Sequence, residues 1–227
     1  MQTLDTQFSR LHTRIVTAAK RFDRVPGTVK LLAVSKGQPA ASIEQLYKLG
    51  QHDFGENYLQ EALPKIRTLA HLTIQWHFIG QIQTNKTRDI AEHFAWVHSV
   101  DRYKIAQRLN DQRPEHLAPL NICLQINLEQ ETTKGGMVPA AAAELAAQIA
   151  TLPRLRLRGL MCIPIAHPDF ETQREVFGRL RSLQEEINRR GHTMDTLSMG
   201  MSDDLEAAIA AGSTLLRVGT AIFGPRL

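Results

Sequence analysis

The feature that most constrains this chain is a repeated alternation. A short apolar run of strand length is followed by a longer segment whose apolar residues recur every three or four positions. Runs of strand character fall at residues 29–35, 53–57, 74–80, 95–100, 120–128, 158–164, 196–200 and 215–219. Helical spacing occupies residues 39–49, 58–69, 84–93, the stretch after 101, 138–150, 170–190 and 203–211. Strands separated by helices pair in parallel through right-handed crossovers. Eight such units predict an α/β fold, a single (β/α)8 TIM barrel. An open doubly wound sheet is the alternative, because periodicity does not distinguish a closed sheet from one with open edges. Ahead of the first strand, Leu4, Phe8, Leu11, Ile15, Ala18, Ala19 and Phe22 share one helical face. Residues 1–25 therefore read as an extra N-terminal helix and residues 29–224 as the barrel, a single domain over 227 residues.

Composition removes several classes of function. A hydrophobic content of 43% supports a core and argues against disorder. No apolar run approaches the roughly 20 residues of a bilayer-spanning helix, so no membrane role is expected. The 27 Lys and Arg against 23 Asp and Glu give +4, spread without the basic blocks of a nucleic-acid tail. Cys123 and Cys162 each sit inside an apolar run and no CxxC pair occurs, so no metal site is expected. Charges at Asp5, Arg10 and Arg14 do not fit a secretory signal, and a cytoplasmic, reducing location is expected.

In a barrel of this kind, chemistry belongs at the C-terminal ends of the strands. Lys36 directly follows the first apolar run, where a desolvated stem lowers the amine's proton affinity and leaves it able to attack a carbonyl and form a Schiff base. A lysine that snorkels to solvent at a strand end is the competing reading. Near the last two strands lie Ser198, Met199, Gly200, Met201 and Ser202, then Arg217, Gly219 and Thr220. Barrels commonly cradle a phosphate there on backbone N–H groups and a helix N-terminus. Ser202 also reads as an N-cap, followed by Asp203 and Asp204, whose carboxylates repel an anion unless they turn away. A reactive lysine, a phosphate cradle and an arginine between them meet the needs of pyridoxal 5′-phosphate (PLP).

These residues carry a resemblance. The segments 31–36 (LLAVSK), 54–57 (FGEN), 76–80 (WHFIG) with 83–86 (QTNK), 197–202 (LSMGMS) and 217–224 (RVGTAIFG) look like those of the pyridoxal phosphate homeostasis proteins, whose fold resembles the N-terminal barrel of alanine racemase. The resemblance implies PLP as cofactor, a Schiff base on Lys36, phosphate contacts around Ser198 to Ser202 and Gly219-Thr220, and Arg217 facing the pyridine nitrogen. Asn57 and His77 join the candidate cofactor-binding residues, and Lys134 resembles the family's loop lysine as a possible accessory. Gly37-Gln38 stands where the family more usually has small-hydroxyl and basic residues.

A guanidinium stays charged and only donates, so Arg217 would restrain the ring as an electron sink. A two-base racemase also needs an acid/base opposite the lysine. In alanine racemases this is a tyrosine supplied with a further domain and a partner subunit, whereas this sequence ends three residues after Gly224. Tyr47, Tyr58 and Tyr103 all fall in expected helices. His77 and His98 are either second bases or histidines satisfied within the barrel. The expectation is a PLP carrier that hands cofactor to PLP-dependent apoenzymes with no firm catalytic residues, working as a monomer. The alternative is a small amino-acid racemase using Lys36 and a histidine.

Overall fold

α1 (Leu4–Arg21) starts at Thr3, whose side-chain oxygen accepts the Thr6 N–H at 3.3 Å. Its Phe8, Leu11, Ile15, Ala18 and Ala19 recur at helical spacing and are all buried. Each large apolar side chain so covered contributes roughly 1.5–3 kcal/mol. The helix ends at Arg21 rather than running to residue 25, because Phe22 caps it and Asp23 turns into the left-handed region at φ 52°. This is a computed structural model, described over residues 3–25, 27–131 and 135–224.

The elements then alternate as β1 (Lys30–Val34), α2 (Ala40–Lys48), β2 (Asp53–Glu56), α3 (Leu59–Thr68), β3 (Gln75–Phe78) and α4 (Thr87–His93). They continue with β4 (Trp96–Val100), α5 (Tyr103–Gln112), β5 (Leu120–Gln125), α6 (Ala142–Ile149), β6 (Leu155–Met161) and α7 (Phe170–Arg189). The series ends with β7 (Thr196–Ser198), α8 (Leu205–Ala210), β8 (Leu215–Val218) and α9 (Thr220–Phe223). The strands form a closed barrel in chain order, with β8 returning parallel to β1, so the open-sheet alternative is set aside. No helix among the described residues is long and apolar enough to cross a membrane.

Further boundaries depart from the periodicity: β5 ends at Gln125 rather than 128, and β6 ends at Met161 rather than 164. β6 begins at Leu155, three residues before the apolar run at 158–164, because Leu155, Arg156 and Leu157 pair with Leu120, Asn121 and Ile122 of β5. The arginines of this strand have partners of their own. Arg158 donates to both carboxylate oxygens of Asp195 and to Asn121 Oδ1, and its guanidinium lies 4.9 Å from the Trp96 ring centroid. At the other end, residues 220–223 form α9, which no apolar period announced.

α1 packs on α2, α8 and α9, across the seam where first and last strands meet. Arg14 bonds the carboxylate of Glu206 on α8 and donates to Ser202 O at 2.8 Å. The N-terminal helix thus braces the β7–α8 loop.

The barrel interior is not wholly apolar. His77, His98, Ser198 and Arg217 are all buried there. His77 stacks on Trp96 with ring centroids 5.4 Å apart and planes 6° apart. Burial pushes the His77 imidazole below its usual value despite Asp53 beside it. Burial pushes His98 well below, helped by the neighbouring His77 and Arg217. Both rings are therefore harder to protonate in the fold than in an unfolded chain, which protonates them below about pH 6.5. The unfolded state then binds more protons, so stability falls as pH falls, by up to about 1.4 kcal/mol per pH unit for each ring. Urea unfolding at about pH 7 and about pH 5 should show this loss, and His98→Gln should lose less from this source, because it removes the more strongly depressed ring. Equal pH dependence in the two proteins would mean that His98 takes up its proton in the fold.

Candidate functional site

Closure of the barrel sets the end of β1 beside the end of β8. Leu32 pairs with Arg217 and Ala33 with Val218, so the residues that follow, Lys36 on one strand and Gly219-Thr220 on the other, come together. They line a cavity of about 240 Å³ with Asn57, Met201, Ser202 and Arg217. Val34, Gln38, Ile79, Ile163, Asp203, Phe223 and Gly224 complete its described wall. Seven of the residues singled out by sequence thus meet on one surface: Lys36, Asn57, Met201, Ser202, Arg217, Gly219 and Thr220.

Lys36 is half-buried, and the backbone on either side of it is tied to α3. Lys65 Nζ donates to Ser35 O at 2.9 Å and to Glu56 Oε1 at 2.8 Å, which also accepts from Ser35 Oγ at 2.7 Å. The Gly37 N–H donates to Glu61 Oε2 at 2.8 Å. Gly37 has φ 73°, a left-handed conformation that suits glycine here. Glu56 is fully buried, faces α3 rather than the cavity, and is pushed up in pKa by that burial against the pull of Lys65 and Ser35. A buried ion pair of this kind adds little net stability. Its evident consequence is positional: the lysine segment is held at both flanks. Sequence reading missed Glu61 and Lys65, although their i, i+4 spacing on the helix directly after the FGEN segment was a usable signal.

The opposite wall is built by the β7–α8 loop and α9. Gly200 has φ 97°, and a Cβ there would lie 2.6 Å from Ala208 Cβ and 2.7 Å from Leu216 Cδ2. Only glycine lets the loop pass between α8 and β8. The Met201 N–H donates to Asp204 Oδ1 at 2.5 Å, so this carboxylate turns into the loop backbone, and burial raises its pKa. Asp203 remains on the cavity wall. Ser202 does not cap α8, where Asp204 holds the N-cap position. Its Oγ instead accepts the Ala221 N–H of α9 at 3.2 Å. Arg217 is buried with lowered pKa, and donates to Ser198 O, Ser198 Oγ and Cys162 O at 2.5, 2.9 and 2.8 Å. Asn57 Oδ1 is buried without a hydrogen-bond partner.

Ser198, Met199 and Gly200 are buried and lie outside the cavity's described lining. His77 is also outside it. As the third residue of β3 it sits one layer down, with Nε2 on Asp53 Oδ1 and Nδ1 on His98 Nε2. His98 is likewise sealed in the interior. Tyr58 precedes α3 as its exposed N-cap residue instead of lying within the helix, and is outside the lining as well. Lys134 lies outside the described residues.

Comparison with known proteins places these features in a family. Residues 10–226 match the model of the alanine racemase N-terminal domain. The pyridoxal phosphate homeostasis protein of Pseudomonas aeruginosa is 54% identical over all of this chain and 97% of its own length. That of Escherichia coli K12 is 49% identical over all of this chain and 98% of its own. The solved structure of PipY from Synechococcus elongatus with PLP bound is 38% identical, covering 92% of this chain and 100% of its own at a TM-score of 0.80. An alanine racemase from Clostridium difficile shares the fold at a TM-score of 0.73 and 13% identity, over 94% of this chain and 56% of its own. By full-length identity and by this match, the chain belongs to the pyridoxal phosphate homeostasis proteins, within the alanine racemase N-terminal domain family.

Proposed function

We propose that this protein binds pyridoxal 5′-phosphate for intracellular PLP homeostasis, holding it as a Schiff base on Lys36 and releasing it to apoenzymes with little or no turnover. The observation that carries this reading is the meeting of Lys36, Arg217 and the Ser202/Gly219-Thr220 wall on one cavity. When bound, PLP supplies an aldehyde that a lysine amine captures reversibly with loss of one water.

The residues fit such a ligand on their own chemistry. Arg217 is a buried cation whose described hydrogen bonds all go to neutral oxygens, so an electron-rich acceptor above it is favoured. The orphaned Asn57 Oδ1 shares the same cavity. Ser202, Gly219 and Thr220 are assigned to the phosphate, where the Gly219 and Thr220 N–H groups ahead of α9 favour negative charge, the Ala221 N–H being held by Ser202 Oγ. Met201 lines that wall, but its N–H is already taken by Asp204. Below the cavity Ser198, Met199 and Gly200 shape the loop, and His77 acts through other residues. Lys134 is kept as an accessory candidate from sequence.

The limited-turnover reading rests on what shares the cavity with Lys36. Its described wall has Asp203 and Arg217 as the other titratable side chains, and neither His77 nor His98 reaches it. Arg217 donates only, which restrains the ring from drawing electrons off a bound substrate. A cytoplasmic location accords with Cys123 and Cys162, both free and buried with thiols pushed up to about 12. A monomer is the assembly assigned here.

Incubation with PLP should give a visible absorbance band, and borohydride reduction followed by peptide mass spectrometry should place the label on Lys36. Lys36→Ala should lose both. Label scattered over surface lysines, or none, overturns the assignment. Solvent deuterium entering the α-position of an added amino acid in the wild type but not in Lys36→Ala would replace the carrier by the racemase.

A further inference from the structure

Beneath the cavity an unbroken line of buried polar groups crosses the barrel. Arg217 Nη1 meets Ser198 Oγ at 2.9 Å, Ser198 Oγ meets His98 Nδ1 at 2.8 Å, His98 Nε2 meets His77 Nδ1 at 2.9 Å, and His77 Nε2 meets Asp53 Oδ1 at 3.0 Å. Arg217, Ser198, His98 and His77 are at most 4% exposed. Asp53 opens β2 at the opposite end of the barrel from Lys36, with its side chain 30% exposed.

The chemistry of the two ends orders everything between them. A guanidinium only donates and an ionised carboxylate only accepts. Arg217 therefore gives a proton to Ser198 Oγ, and Asp53 takes one from His77 Nε2. With both rings uncharged, His77 Nδ1 must accept, so His98 donates from Nε2. His98 Nδ1 must then accept, so the Ser198 hydroxyl donates to it. All four bonds point the same way, and both imidazoles are Nε2–H tautomers. The reverse order would put a proton on Nδ1 of each ring and leave a bare His77 Nε2 facing the Asp53 carboxylate. It would also strip the Ser198 hydroxyl hydrogen of its acceptor in this line.

Hydrogen bonds aligned in one sense polarise one another, by about 10–30% per bond. Ser198 Oγ is a stronger acceptor because it donates onward, and that oxygen is one of the three that hold the Arg217 guanidinium. We propose that Asp53, His77, His98 and Ser198 form a positioning chain that fixes the orientation of Arg217 in the Lys36 cavity from the far end of the barrel. None of the four lines the cavity. The proposal rests on the reading that the cavity takes PLP with Arg217 against its ring.

The test uses Asp53→Ala, which removes the terminal acceptor, and Asp53→Asn, which keeps an accepting oxygen. In PLP-free protein, nitrogen-15 NMR should show His77 and His98 as neutral Nε2–H tautomers, and the Arg217 guanidinium signals should shift in Asp53→Ala but little in Asp53→Asn. With PLP, Asp53→Ala should bind about fivefold more weakly, the equivalent of one hydrogen bond, and move the visible band of the bound cofactor. Asp53→Asn should restore both. An Nδ1–H tautomer at either ring, or Arg217 signals and PLP affinity unchanged in Asp53→Ala, overturns the chain. A melting temperature lowered without those changes assigns the network to stability alone and overturns it equally. If Asp53→Ala does not fold, Ser198→Ala cuts the link next to Arg217 and is read by the same signals. Wild-type protein that fails to bind PLP would sink the ligand reading, while the PLP-free NMR still decides the chain.

Discussion

Pairing of the last strand with the first is the interaction on which the rest depends. Lys30, Leu31, Leu32 and Ala33 of β1 take Leu215, Leu216, Arg217 and Val218 of β8 as partners. This register closes the sheet and sets the depth of every site residue. A slip of one residue would swap the inner and outer faces of a strand. Arg217 would then leave the interior for the helix layer, and Gly219-Thr220 would lose their place beside the lysine segment. α1 reinforces the seam from outside through Arg14, which ties both α8 and the Ser202 carbonyl to the N-terminal helix.

Much of this was legible before the structure, and the parts that were not share a cause. Alternating strand and helix patterns located all eight strands, and the polar residues just past them located Lys36, Asn57, Ser202, Arg217, Gly219 and Thr220 on one cavity. The periodicity starts β6 late because its Leu-Arg-Leu-Arg start reads as polar, whereas the fold gives Arg158 the Asp195 carboxylate and the face of Trp96. His77 reads as a cofactor residue in sequence because it lies close to the end of β3. The side-chain layers of a barrel are stepped by register, which sequence does not display, and His77 falls one layer too deep. The ties on the Lys36 segment are only half legible, for another reason. The i, i+4 pair Glu61/Lys65 marks α3, but its partners are backbone atoms flanking the lysine, and a side-chain pattern does not name a backbone partner.

The two walls of the cavity are held in different ways. On the lysine side, charged groups from α3 grip the chain: Lys65 takes the carbonyl before Lys36 and Glu61 takes the N–H after it. On the opposite side the loop holds itself, through Gly200's left-handed turn, Asp204 on the Met201 N–H and Ser202 on the Ala221 N–H. The second arrangement also removes one of the two adjacent carboxylates from the proposed phosphate wall. Asp204 is spent on the backbone, and Asp203 alone still faces the cavity.

Arg217 connects these walls to the interior, and its energetics explain why the polar groups lie where they do. Burying a guanidinium costs several kcal/mol unless its donors are met. Here they are met by two backbone carbonyls and a hydroxyl, all neutral, while the nearest carboxylate in the hydrogen-bonded line is Asp53 at the far end. A carboxylate placed directly on Arg217 would cancel its charge and leave the cavity nothing to offer an acceptor. The carboxylate that acts on Arg217 through space, Asp204, is bonded to the Met201 N–H and not to the guanidinium, which keeps the cation's donors available to a ligand. The same arrangement commits both histidines to the interior line. On the proposed reading, this leaves Lys36 to capture and release its ligand without an imidazole at hand to move a second proton.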